Sequence, residues 1–346
     1  MITLTIAISL LFSGITEFVP LFNGENLDGW TIVNGDKSTW VVKDNMIVTS
    51  GKPTGVIRTN KMYENFVLEL DWRHMEENGN AGLFVWSDPI PSVGVPFTRS
   101  IEVQIMDGKE LDWYTTHGDI FSIWGSKMVP DRPHPDGYER CLPIERRSNP
   151  SPQWNHYTIT CVNGKIDLSV NGAFISGATN VSPCRGYICL EAEGTEAHFK
   201  NIQIMELPPS SNKITKEANS DIGFITIFNG LNLDGWQSEN MDEWYASNNV
   251  IHCKQGDKTL QTKKTFEDAT FMFDYKCNEV TSSVFVVVDG KKTELPRKDD
   301  GGWTRFSMNV DSGTISIGGN NVIFTNLFTK PDQCKIPPNG TLPLSK

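Results

Sequence analysis

A nine-residue string occurs twice in this chain: Phe22-Asn23-Gly24-Glu25-Asn26-Leu27-Asp28-Gly29-Trp30 returns as Phe228-Asn229-Gly230-Leu231-Asn232-Leu233-Asp234-Gly235-Trp236, with one difference. Such a match marks a duplicated module, and the two copies must satisfy the same folding rules. The register persists: residues 59–73 parallel 262–276, 81–88 parallel 282–289, and Trp154 parallels Trp303. Between the last two the offset falls from 201 to 149, so the second copy lacks 52 residues that the first carries between Asp88 and Trp154. What both copies keep is expected to be framework. Chemistry is expected in what only the first copy has.

Turn-rich segments separate short alternating stretches such as 40–48, 66–72, 81–86, 100–105, 156–161, 165–170, 186–191 and 199–205. Many short strands without a long 3.6-residue period predict an all-β chain, sandwich or barrel, rather than alternating strands and helices. Asn163-Gly164 and Asn171-Gly172 each sit where a tight turn needs positive φ. The polar run 208–213 reads as a linker, and the second copy begins near Gly223. Aligning Cys334 with Cys184 and 340–344 with 186–190 leaves nothing to answer 199–205. Either the terminal strand of the second copy is missing or another segment replaces it.

The chain has 346 residues, enough for two domains each burying its own core. Its net charge of -11 and the lack of a long Lys/Arg run argue against a nucleic-acid partner. Residues 1–15 are almost wholly apolar, about the length of a secretory core segment and short of a bilayer span. We read 1–16 as a signal peptide, with cleavage after Thr16, export to the periplasm or beyond, and no membrane span afterwards. The seven cysteines fit an oxidising compartment, and without a Cys-x-x-Cys pair they do not form a zinc ribbon.

Residues two apart on a strand share a face, so faces can be sorted by parity. Leu68, Leu70 and Trp72 oppose Glu69, Asp71 and Arg73; Ile101, Val103 and Ile105 oppose Glu102 and Gln104; Leu190 and Ala192 oppose Glu191 and Glu193. A polar face on an antiparallel sheet ordinarily meets only solvent. The second copy discriminates among these faces. It keeps Asp274 and Lys276 where the first has Asp71 and Arg73, as shared scaffold or a surface pair. It has no counterpart of Glu102, Gln104, Asp107, His117, Asp119, His134, Asp136, Glu139 or Arg140. The same extra block carries Trp113, Tyr114 and Trp124, flat faces suited to stacking on sugar rings. Carboxylate, amide, imidazole and indole together suit a carbohydrate site. No Gly-x-Ser-x-Gly elbow and no His-Glu-x-x-His occurs. His117, between Thr116 and Gly118, is equally readable as a loop histidine with a structural hydrogen bond.

Several short segments, in order, carry a family resemblance: the Phe-Asn-Gly-x-x-Leu-x-Gly-Trp opening, Gly55-Val56-Ile57-Arg58-Thr59, Gly79-Asn80-Ala81-Gly82-Leu83-Phe84, Glu102-Val103-Gln104-Ile105, Trp154-Asn155, and Glu193-Gly194 followed by Phe199-Lys200-Asn201-Ile202. Over residues 21–207 the chain resembles the 3-keto-disaccharide hydrolase family, and its second copy resembles the framework parts. The resemblance implies two concanavalin A-like jelly-roll β-sandwich modules, 18–207 and a shortened 223–346, joined by a linker over 208–222. It also implies cleavage of glycosides oxidised at C3. A C3 ketone acidifies the C2 proton; a general base removes it, an electrophile stabilises the enolate, and the C1 oxygen leaves by β-elimination before water adds. On this basis Glu102 or His117 is the base, Gln104 and Glu193 bind hydroxyls, Arg73 or a divalent metal polarises the ketone, and Trp86 and Trp124 join the substrate-binding set. No ligand spacing demands the metal. Family members carry Leu-Gln-Ser-Glu-Gly where this chain has Leu190-Glu191-Ala192-Glu193-Gly194.

Two other readings remain. A lectin-like or adhesion module would need aromatics and amides but no base. A glucanase on the same sandwich would want Glu-x-Asp-x-Glu on one strand, whereas Gln104 holds the middle position and Asp107 has opposite parity to Glu102. The second module is expected to dock or bind sugar without turnover.

Overall fold

The computed structural model describes residues 17–107, 117–210, 216–220, 223–254, 256, 258–279, 281–298 and 300–331. The leader 1–16, Trp113, Tyr114, linker residues 211–215 and 221–222, and Cys334 lie outside the described residues. Strands dominate, with two short 3-10 turns, Lys37–Thr39 and Met241–Glu243, as the helical elements among the described residues. No helix among them is long and apolar enough to cross a membrane. The chain is all-β, built as two β-sandwiches.

In the first sandwich a back sheet of nine strands has Phe66–His74 near its middle, between Asn155–Val162 and Ala197–Glu206. The front sheet has seven strands, in the order Arg140–Cys141, Ile120–Ile123, Ser100–Met106, Asn80–Ser87, Tyr187–Ala192, Gly55–Thr59, Trp30–Ile32. Alternation builds the core between the sheets. Leu68, Leu70, Trp72, Tyr157 and Ile159 from the back meet Leu83, Val85, Ile101, Val103, Ile105 and Leu190 from the front, all essentially inaccessible to solvent. Each such aliphatic or aromatic side chain contributes about 1.5–3 kcal/mol on burial, which fixes the register of every strand bearing one.

Turn chemistry follows the sequence closely. Asn163 and Gly164 (φ 53° and 72°) close one hairpin, and Asn171 and Gly172 (φ 48° and 84°) the next. The stretch 40–48 is two strands, Trp40–Lys43 and Met46–Thr49, because Asp44 and Asn45 (φ 51° and 58°) make a tight turn. The duplicated opening string is framework in both copies. Asn23 Oδ1 accepts from the Glu25 and Asn26 amides, as Asn229 Oδ1 does from Leu231 and Asn232. Trp30 Nε1 donates to the Leu21 carbonyl and Trp236 Nε1 to that of Ile227.

The second sandwich has sheets of six and five strands and its own core around Phe271, Phe273, Tyr275, Ile317 and Phe324. Its last described strand, Val322–Pro331, pairs with Phe266–Cys277, Val250–Cys253 and Ile225–Thr226. Ala197–Glu206 likewise pairs with Phe66–His74, Met46–Thr49 and Val19–Pro20. Another segment therefore supplies the terminal strand, and the alignment through Cys334 does not describe the pairing. That alignment fails because the second copy carries a further deletion. Thr304–Gly313 runs directly into Ile315–Asn320, the partner of Lys258–Thr262 and Ser283–Val288, whereas the first copy inserts the strands Lys165–Val170 and Ala173–Ser182 at that point. The six described cysteines are thiols.

Candidate active site

On the outer face of the front sheet, three adjacent strands bring carboxyl groups together. Glu102 and Gln104 lie on Ser100–Met106, paired opposite Phe84 and Gly82 of Asn80–Ser87. On the other side of that strand, Cys189 and Leu190 pair with Phe84 and Leu83, which brings Glu191 alongside Gly82. Gly82 has ordinary backbone angles, so its lack of a side chain serves space rather than conformation. A Cβ there would stand 2.6 Å from Glu191 Oε2 and 2.9 Å from Glu102 Oε1, so the two oxygens are no farther apart than those distances summed. Glu193, just past the end of its strand, accepts a hydrogen bond from Asn80 Nδ2.

Like charges in a half-dry site cannot all ionise. Burial, followed by the charges of Glu193 and Asp119, pushes the Glu102 carboxyl up to about 8. Burial, followed by Glu102 and Glu193, holds Glu191 well above the usual carboxylate range, and its Oε2 has no hydrogen-bond partner in the protein. Burial raises Glu193 as well. Glu102 and Glu193 keep partial access to solvent, while Glu191 is 2% exposed. The cluster therefore holds protons near neutral pH: Glu102 ionises as pH rises toward about 8, while Glu191 remains a neutral carboxylic acid. On the far side, the buried Asp119 and Arg140 pair at 3.3 Å, and the Arg140 guanidinium lies 5.6 Å from the centre of the Phe121 ring. Tyr157 crosses the core to donate to the Gln104 carbonyl at 2.7 Å, which anchors the strand behind the site.

The sequence-derived residues separate into groups. Glu102, Gln104 and Glu193 share the cluster. His117 is fully buried beside Asp107, and burial lowers its pKa against the opposing Asp107 charge. The charges acting on Glu102 are those of Glu193, Asp119 and Glu191, so the two proposed bases occupy different environments. Asp107 itself accepts from the Asn78 and Ser151 amides and works as a loop anchor.

Arg73 is on the outer face of the back sheet, a full core away from Glu102. It donates to His198 Nδ1 and lies 4.5 Å from the Trp154 ring centre, so it cannot polarise a ketone at this cluster. Trp86 is also misplaced by the sequence reading. Parity would set it beside Phe84 on the outer face, but a register irregularity opposite Tyr187–Cys189 and a left-handed backbone (φ 54°) turn it inward. There it packs edge-on against Phe66 and donates Nε1 to the Glu64 carbonyl. Trp124 remains 48% exposed, stacked on Phe97. Sequence reasoning passed over Glu191 as a site residue, although its parity with Glu193 was the available signal. The closeness of Asp119 and Arg140 had no local signal. Among the described residues no group of three or more His, Cys, Asp and Glu side chains has the geometry to hold a metal ion.

The family model for the 3-keto-alpha-glucoside-1,2-lyase-like domain matches residues 17–205 and 223–316. The chain belongs to this family. The first matched segment spans nearly all of the first sandwich and holds the Glu102–Glu191–Glu193 cluster; the second covers the second sandwich as far as the start of Ile315–Asn320, leaving its last strand, Val322–Pro331, outside the match. No curated protein matches the chain. Among solved structures, a protein provisionally named a glycosyl hydrolase from Parabacteroides distasonis is 23% identical over 55% of this chain and 94% of its own, with a TM-score of 0.44. A carbohydrate-binding module from Bacillus subtilis is 14% identical over 51% of this chain and 96% of its own, with a TM-score of 0.37. A Bacillus subtilis protein of unknown function with a galectin-like fold is 11% identical over 56% and 96%, with a TM-score of 0.39. The family assignment, and with it a carbohydrate-related role, rests on the sequence match.

Proposed function

We propose that the first module cleaves the glycosidic bond of 3-keto-glycosides by elimination, with Glu102 as the base. The observation that carries this reading is the Glu102–Glu191 pair facing each other over Gly82. Ionised Glu102 takes the C2 proton; the electron pair left at C2 forms the C1=C2 bond as the C1–O bond breaks. A carboxylate pushed up to about 8 is a better match to a carbon acid than an ordinary one near 4.5, while still ionising close to neutral pH. Glu191, held neutral, donates its proton to the departing oxygen. Family members resemble this arrangement with Gln at the same place, and a neutral carboxylic acid shares with an amide the ability to donate a hydrogen bond. Water then adds across the C1=C2 bond to give the free 3-keto sugar.

Gln104, Glu193 and the exposed face of Trp124 supply hydroxyl and ring contacts in this scheme. A carboxyl pair this close also matches retaining glycosidases, whose two groups stand roughly 5–5.5 Å apart. The decisive experiment gives the purified protein matched panels of 3-keto and unoxidised disaccharides, following enone absorbance and free sugar. We expect cleavage of the 3-keto panel alone, reduced about 10²–10⁴-fold by Glu102→Gln. Cleavage of unoxidised sugar would assign the pair to ordinary glycoside hydrolysis, and saturable binding without any cleavage would make the module a lectin.

A further inference from the structure

The loop joining Asn80–Ser87 to Ser100–Met106 connects the strand of Gly82 to the strand of Glu102. It folds back over the outer face of the front sheet, where Phe97 covers the apolar patch of Val56, Phe84, Tyr187 and Cys189. Phe97 then stacks on Trp124 with ring centres 6.3 Å apart and planes 12° from parallel. Because Phe84 is paired opposite Glu102, the Phe97–Trp124 wall stands beside the carboxyl cluster.

The second module grips this loop. Fully buried Asp274 accepts two hydrogen bonds from Arg305, one from Asn326 Nδ2 and one from the Gly94 amide at 2.9 Å. Arg305 Nη2 also donates to the Pro91 carbonyl at 2.8 Å, and Asn326 Nδ2 to the Ser92 and Val95 carbonyls, each at 3.0 Å. Gly94, at φ 77°, lies so close to the Trp303 indole that a Cβ would fall 2.2 Å from Trp303 Cγ. At the loop's base, Asp88 binds Arg99 and the amide of Asn219.

The first module has Asp71, Trp154 and Asn201 in the register of Asp274, Trp303 and Asn326 and uses them differently. Asp71 pairs with His156 and Lys200, as Asp274 pairs with Arg305 and Thr325. Asp71 holds His156 and Asn201 at a partly open surface, and Trp154 is capped by Arg73 and Lys200. In the second module Arg305 replaces the imidazole with a fork that can serve a carboxylate and a carbonyl together. Thr325 stands where Lys200 stood, leaving the Trp303 face open to Gly94. A solvent face in one copy has become a docking face in the other.

We propose that the second module is a positioning element for the first: its Asp274–Arg305–Asn326 clamp fixes the 88–99 loop so that Phe97 and Trp124 form the sugar platform of the site. The proposal rests on the carbohydrate reading given above, and its test separates the two. In the full chain, Asn326→Gly keeps the left-handed backbone (φ 51°) while removing both carbonyl contacts, and Gly94→Ala forces a Cβ against Trp303 from the opposite side. Each variant is expected to raise amide exchange across residues 88–99 at least tenfold and to raise KM for a 3-keto-disaccharide about 3- to 30-fold. The kcat should stay within about twofold, since neither residue touches the cluster. Raised exchange with an unchanged KM would reduce the clamp to a structural joint, and unchanged exchange would overturn it outright. If the parent protein neither binds nor cleaves the sugar, the carbohydrate reading fails. In that event the exchange data, with the quenching of Trp124 fluorescence measured against Trp124→Phe, still decide whether the clamp sets the platform.

Discussion

Glu102→Gln should cut turnover by the same ~10²–10⁴-fold and also stabilise the protein, and the gain should depend on pH in a defined direction. The folded-state pKa of Glu102 is raised from 4.5 to about 8. Between those values the native protein retains a proton that the unfolded chain has released. The unfolded state then binds fewer protons, and stability falls as pH rises through that window. Glutamine removes this penalty while keeping the shape. At about 1.4 kcal/mol per unit the full displacement would approach 5 kcal/mol. Glu102 keeps some contact with solvent, which screens its charge, and removing it also relieves Glu191, so a gain of about 1–2 kcal/mol is expected at pH 8 and above. For a domain of this size that is about 3–6 °C in Tm. Scanning calorimetry of parent and variant at pH 5, 7 and 9 should show curves that nearly coincide at pH 5 and diverge with rising pH. A variant less stable than the parent by a constant amount at all three pH values would refute the argument that the carboxyl cluster is electrostatically strained.

Gly82→Ala places a methyl group among Glu102, Glu191 and Phe84, and such overpacking costs about 1–3 kcal/mol; the expected result is a lower Tm together with at least a tenfold loss of kcat/KM, and a fully active variant would show that the two carboxyls do not act across that gap. Arg73→Ala should leave kcat and KM within about twofold while loosening the Trp154 cap by about 0.5–1 kcal/mol; a hundredfold loss of turnover would restore Arg73 to the site.

What could be read from the sequence depended on how local the determining physics was. Strand identity, hairpin turns and the in-or-out assignment of Glu102, Gln104, Glu191 and Glu193 follow from two-residue parity and from Asn-Gly turn geometry, both of which involve neighbours in the chain. Trp86 escaped because a single irregularity reverses parity, and nothing in Phe84-Val85-Trp86-Ser87 announces it. Arg73 was assigned correctly to an outward face, but parity does not say which sheet that face belongs to. The same limit hid the terminal strand of the second copy, whose identity depends on pairing partners some fifty or more residues away in sequence.

Subtracting one copy from the other pointed to Glu102 and Gln104, which fall in the segment the second copy lacks; Glu191 and Glu193 lie outside that segment. Asp274 shows what subtraction does not resolve. A residue kept in both copies reads as shared scaffold or a surface pair, yet Asp71 is partly open beside His156 and Asn201 whereas Asp274 is sealed beneath a loop of the other module. Identity at the central position survived while its neighbours changed, His156 to Arg305 and Lys200 to Thr325, and those neighbours decide whether the aspartate meets water or protein. The missing segment and the docking face fall on opposite sheets of the second module. The first difference leaves the front without the segment that carries Glu102, and the second makes the back a surface that holds the loop between the strands of Gly82 and Glu102. If the proposed clamp operates, the module that lacks the segment still contributes to the site through the geometry of that loop.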